Sequence, residues 1–153
     1  MQLQKQPSRW SCLPTAFAMA LDVPVEEIFD HIGHDGSEVI FPNLRSPYCQ
    51  RSFHMQEMVD FCISRDLAVV EIHKIPVGES LDGHTFLLPV SDKRMDFYLL
   101  NYTGVLTGIG SHGHPHAVAW DKHKVLDPNG TTYSIREFEI ETLYLIVKIN
   151  ITK

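Results

Sequence analysis

No apolar run in this sequence reaches the length of about 18 residues that reads as a membrane-spanning helix. The opening Met1-Gln2-Leu3-Gln4-Lys5-Gln6 is polar and lacks the apolar core of a signal peptide. Together these absences predict a cytoplasmic protein with no membrane partner. Cysteine is scarce: Cys12, Cys49 and Cys62 are odd in number and show no CxxC spacing. That pattern argues for a reducing compartment and against a disulfide framework or a zinc ribbon. Basic residues are outnumbered, 13 Lys and Arg against 19 Asp and Glu, for a net charge of −6. A nucleic-acid partner held on a broad basic surface is not expected. Internal repeats and low-complexity segments are missing too. What is present is a globular composition, 44 % hydrophobic over 153 residues. It fits a single domain spanning 1–153 with a proper core.

The chain is organised around residues 6–21, a loop that turns into a helix. Leu13, Ala16, Phe17, Ala20 and Leu21 recur at the spacing of one helical face. Ala18 and Met19 fill the other side, so the helix is apolar nearly all round and belongs inside a core. Ser11 is placed to cap it, and Pro14 is tolerated because first-turn amides have no intrahelical partner to lose. Cys12 therefore stands in the first turn, where the helix end favours a thiolate. Two readings of Cys12 are open on this segment alone: a nucleophile, or a buried structural cysteine.

His116-Ala117-Val118-Ala119-Trp120 reads as a strand headed by a histidine, and Lys124–Gly130 as a second strand running into a turn. Asp121-Lys122-His123 suits a hairpin between them, so the strands should pair antiparallel and bring Asp127 beside His116. A base with an orienting acid, and a cysteine elsewhere in the chain, is the general arrangement for an activated nucleophile. Asn129 is the fallback orienting residue, and Asp-Pro-Asn-Gly is also a good turn on its own chemistry.

Gln6, Cys12 six positions on, a histidine-led strand and then Asp-Pro, in that order over residues 6–127, resemble the papain-like cysteine peptidase superfamily. The run Cys-Leu-Pro-Thr-Ala-Phe-Ala-Met-Ala-Leu is most similar to the branch of bacteriocin-processing, double-glycine-leader peptidases. The resemblance implies an α+β fold in which a nucleophile helix and further helices pack on an antiparallel sheet carrying His116 and Asp127. It implies a Cys12-His116-Asp127 triad, with Gln6 and the Cys12 amide as oxyanion donors, acting on a peptide or other amide without any cofactor. Trp10, Leu13 and His114 are then the candidate substrate contacts. Such an enzyme would suit a bacterium or its phage. Leu13 departs from the glycine usual in that branch, which makes the backbone less permissive and the pocket narrower. The chain also lacks the transporter domains that accompany many leader peptidases, so fold and chemistry carry over better than substrate does.

The rest of the chain fits a helical part, about 12–66, followed by a sheet part, about 67–149. Pro24 stands at a first helical position with acids behind it, Val25, Ile28, Phe29 and Ile32 give an apolar face, and Gly33 stops the helix. Residues 33–52 show no clear period and read as a long loop, either a wall of the cleft or a surface excursion, with Cys49 in it. A third helix at 54–63 has Met55, Met58, Val59 and Cys62 on one face, the methionines as core filler and Cys62 as an inert buried thiol. Strands are predicted at 67–72, 85–89, 104–109 and 142–149, the third pairing next to the histidine strand. Residues 96–100 fit either strand or the end of a short helix.

The run Ser111-His112-Gly113-His114-Pro115-His116 offers a competing metal site, with His123 or Asp121 completing it. Gly113 and Pro115 break the strand that would align the imidazoles, and no His-x-x-x-His helix is present. The favoured reading makes His116 the base, with His112 and His114 on the rim of the cleft and no metal. A transferase that resolves the thioester with an amine, and a domain of the same fold that only binds, are the remaining alternatives. Oligomeric state has no signature in the sequence.

Overall fold

The apolar run after Ser11 becomes helix α1 (Cys12–Leu21) in a computed structural model that describes residues 1–39, 50–75, 77–79, 85–87 and 89–149, with backbone only at 77–79 and 85–87. Ala16, Phe17, Ala18 and Met19 are fully buried, as an all-round apolar helix requires. A side chain the size of Phe17 contributes about 1.5–3 kcal/mol by leaving water. Ser11 does not cap this helix. Its hydroxyl instead donates to Ser8 O at 2.8 Å, holding the turn that enters α1. The helix ends at Asp22, whose left-handed backbone (φ 60°) returns its N–H to Ala18 O and Met19 O.

Helix α2 (Val25–Ile32) begins one residue later than the proline rule predicts. Pro24 is the N-cap itself, extended at φ −64° and ψ 145°. The orphaned Val25 N–H is accepted by Gln4 Oε1 at 3.1 Å, while Gln4 Nε2 donates to Val23 O at 2.6 Å. The polar lead-in thus clamps the α1–α2 corner. Helix α3 (Met55–Ile63) buries Met58, Phe61 and Cys62. Residues 40–49, including Cys49, lie outside the described residues. The flanks of that loop are held together by Arg51 N–H to Glu38 O (2.6 Å) and Ser52 N–H to Gly36 O (3.0 Å).

The second half supplies strands β1 (Leu67–His73), β2 (Val77–Glu79) and β3 (Thr85–Leu87), helix α4 (Asp92–Asn101), strands β4 (Gly104–Ile109), β5 (Pro115–Trp120), β6 (Val125–Asp127) and β7 (Thr131–Tyr133), a 3-10 turn (Ile135–Glu137) and strand β8 (Glu139–Lys148). Six strands form one open antiparallel sheet in the order β1-β8-β4-β5-β6-β7, and β2 and β3 pair as a separate two-stranded sheet. The architecture is α+β, with four α-helices among the described residues.

Alternation along the central strands divides the core into two layers. Val105 and Ala117 join the cluster built by α1, α2 and α3. Their neighbours Leu106 and Val118 join Leu143, Trp120 and the α4 residues Met95 and Leu99. Residues 96–100 are therefore helix, which also places a helix inside the stretch expected to be sheet. Ser91 Oγ accepts the Arg94 N–H at 3.3 Å, and Met95 and Leu99, one turn apart, are buried beneath the sheet. Trp120 Nε1 donates to Leu99 O at 2.9 Å and fixes that helix in place. Among the described residues no helix is long and apolar enough to cross a membrane.

Candidate active site at the start of α1

Two successive hairpins carry the chemistry of the second half to the first turn of α1. In the β4–β5 turn, Gly110 N–H bonds His114 O (3.1 Å) and Gly113 N–H bonds Gly110 O (2.9 Å), with Gly113 at φ 75°. His112 and His114 are exposed there, and His116 alone of the three enters β5, opposite Gly108. In the β5–β6 turn, Asp121 Oδ1 accepts N–H groups from His123 (2.9 Å) and Lys124 (2.8 Å), and Lys122 takes the left-handed region at φ 79°. Ala119 pairs with Leu126 and Trp120 with Val125, so β6 runs back toward His116.

His116 Nε2 lies 2.8 Å from Asp127 Oδ1. The Asp127 side chain is only 4 % exposed, against 20 % for His116. The same Oδ1 accepts the Asn129 N–H at 2.9 Å, and Oδ2 accepts the Tyr133 hydroxyl at 2.8 Å. Burial would raise the carboxyl's pKa, but His116, the Asn129 amide and Tyr133 together hold it below the usual carboxylate value. With Nε2 committed to Asp127, Nδ1 is the ring nitrogen left for the hydrogen bond to Cys12. Burial opposes the imidazolium; the Asp127 and Cys12 partners outweigh it and raise His116 to about 9. For Cys12 burial again opposes the charge. The His116 hydrogen bond, the Ala117 N–H, the His116 charge and the Leu13 N–H outweigh it, and the thiol titrates below its ordinary value.

The first turn of α1 explains why donors are left over. Ser11 O is taken by Thr15, through N–H at 3.1 Å and Oγ1 at 2.7 Å. Ser11's hydroxyl is turned to Ser8, and Pro14 has no N–H. That leaves the amides of Cys12 and Leu13. Leu13 N–H serves the Cys12 sulfur, and among the described residues nothing accepts the Cys12 N–H. A conventional serine cap would have claimed one of these donors.

Gln6 is tied to the same region through its main chain: its N–H donates to Pro128 O, in the turn after Asp127, at 2.7 Å. Its Oε1 is buried and has no hydrogen-bond partner among the described residues. Trp10 and Leu13 border a cavity of about 270 Å³ that also exposes Cys12 and His116. Trp10 is braced by Nε1–H to Asp35 O (3.0 Å) and by Gly36, where a Cβ would come within 3.0 Å of the indole and 2.7 Å of Phe53. Phe53 stacks between Phe29 and His34, at centroid distances of 5.3 and 5.2 Å. The near flank of the long loop is thus part of the cleft wall. His114 and His112 border a second cavity of about 240 Å³ on the other side of His116, with Arg9 and Asn129. The Asn129 side chain is used in its own turn, accepting from Thr131 N–H at 2.9 Å, and does not reach His116. Among the described residues no three His, Cys, Asp or Glu side chains gather closely enough to hold a metal ion.

Four residues were not placed at the site from sequence. Tyr133 follows Asp127 by six residues, and the tight turn between β6 and β7 folds it back onto the carboxylate. Ser52 and Met55 border the larger cavity, and Met55 also packs against the core as its sequence reading expected. Glu141 borders it as well. Only the Asp-Pro-Asn-Gly turn, followed by a short polar strand, signalled Tyr133 in advance. Neither a protein-family model nor a curated protein matches the chain.

Proposed function

We propose that this chain is a papain-like cysteine peptidase or amide hydrolase. The observation that carries the reading is the linked line Cys12–His116–Asp127, in which each partner favours the charged form of the next. A helix that starts at the cysteine, laid across an antiparallel sheet that bears the histidine and the aspartate, supports the papain-like class.

The Cys12 thiolate attacks a substrate carbonyl carbon, forming a C–S bond and moving the carbonyl electron pair onto oxygen. The Cys12 N–H and the Gln6 side-chain amide hydrogen-bond that oxyanion; losing one such donor lowers turnover by about 10²–10³. The C–N bond then breaks, and His116 Nδ1 gives its proton to the departing amine. Water attacks the resulting thioester while His116 takes a water proton. The C–S bond breaks, the acid leaves, and the thiolate–imidazolium pair returns. Asp127 holds the ring orientation and its positive charge throughout.

The test is the pH dependence of iodoacetamide labelling at Cys12, mapped by mass spectrometry in the wild type and in His116→Ala. The expected result is fast labelling at mildly acidic pH that disappears in His116→Ala. An ordinary thiol profile for Cys12 in the wild type overturns the proposal.

A further inference from the structure

The ladder between β4 and β8 slips by one residue beside the site. Thr107 pairs with Thr142, but Gly108 pairs with Ile140, so Glu141 is the extra residue of a β-bulge. Gly108 makes the bulge possible, because a Cβ there would collide with Glu139 O and stand 3.0 Å from Glu141 N. The bulge breaks the alternation of β8. Ile140 packs into the layer under α4, whereas Glu141 borders the cavity that exposes Cys12 and His116. Bulges near a site commonly re-aim a side chain in this way.

Glu141 is half-buried, its carbonyl accepts the Lys74 N–H at 2.8 Å, and no described side chain pairs with its carboxylate. Arg51, next to the cavity residue Ser52, is engaged with Glu38 (3.5 Å) and Glu57 (3.6 Å). Beside Ser52 and Thr107, the cavity wall is largely apolar, with Trp10, Leu13, Phe53 and Met55. A carboxylate with no partner among the described side chains, set beside apolar ones, suits a methylene stem ending in a cation. The indole of Trp10 adds a face of the kind that attracts cations.

We propose that Glu141 makes this cavity a subsite for a lysine-like, arginine-like or other amine-bearing group of the substrate. The proposal rests on the cysteine-hydrolase reading, which places substrate at Cys12. On the Glu141 side, a cationic substrate group fits better than an anionic one.

The test needs no known substrate. Cys12 is modified with two charged methanethiosulfonates of similar size, trimethylammonioethyl and sulfonatoethyl, and with a neutral one, hydroxyethyl. In each reaction the thiolate forms an S–S bond and a sulfinate leaves. Rates at Cys12 are read by mass spectrometry for the wild type, Glu141→Gln and Glu141→Lys, and each charged reagent is normalised to the neutral one. The expected cation-to-anion ratio is above one in the wild type. It falls roughly threefold or more in E141Q, inverts in E141K, and weakens with salt in the wild type. Equal ratios in all three proteins overturn the subsite. The neutral reagent's pH profile reports the Cys12–His116 pair separately, so failure of the hydrolase reading appears there and not in the ratio.

Discussion

The first turn of α1 and the last turn of α3 each hold a cysteine against the same apolar layer. Burial pushes both thiols toward the neutral form, yet they part in opposite directions. Cys62 meets little besides apolar packing; the Arg65 charge offsets only part of its burial, and it rises to about 11. Cys12 is held below the ordinary value because His116 and the amides of Ala117 and Leu13 aim at its sulfur. The contrast teaches that a helical, buried cysteine is not reactive by position alone. Directed donors and a charged partner decide it, and here they arrive from a strand more than a hundred residues away.

Removing the sulfur should break the contrast entirely. Cys12→Ala should abolish any amide hydrolysis, while Cys62→Ala should leave it measurable. His116→Ala is the next largest: labelling of Cys12 near neutral pH should slow by about tenfold or more and approach the slow rate of Cys62, as its thiolate fraction collapses. Asp127→Asn should keep the geometry but lower the His116 pKa, reducing turnover by roughly 10²-fold or more, read as kcat.

The pH dependence sharpens the same comparison. His116 keeps its proton up to about 9, so the alkaline limb of turnover should fall near that value. The acid limb should lie below the ordinary thiol range, following Cys12. For stability the sign is set by a raised folded pKa. The His116 contribution is complete below its unfolded value, 6.5, and is lost as pH rises through about 9. Thermal midpoints of wild type and D127N, compared from about pH 6 to about pH 10, should converge across that window. The smallest effects come from Tyr133→Phe and Cys62→Ala. Loss of the hydroxyl on Asp127 should lower kcat by less than about tenfold, under about 1.4 kcal/mol, because the carboxylate keeps His116 and the Asn129 N–H. Cys62→Ala should cost about 1 kcal/mol in urea unfolding, as a small void in a close-packed layer does.

Much of this site was legible because its parts are local. Cys12 at a helix start follows from the apolar spacing after Ser11, and the His116–Asp127 contact follows from one short hairpin. The helix at Asp92–Asn101 was ambiguous because five residues do not separate the two periods. Burial of Met95 and Leu99 under the sheet settles it, and that is a long-range fact. Ser11 was expected to cap because its type favours the role; the entering turn at Ser8 competes for the same hydroxyl.

By itself, then, the amino-acid sequence determined the order of the reactive groups, the helix that begins at the cysteine and the hairpin that joins base to acid. Each rests on spacing and turn chemistry within a few residues. The tertiary structure alone decided that Ala117 offers its amide to Cys12, that Tyr133 closes over Asp127 and that a bulge sets Glu141 at the border of the cavity. Those outcomes depend on strand register and on what packs across the sheet. A shift of one residue in register reverses which side chains face the site, and no local pattern records it.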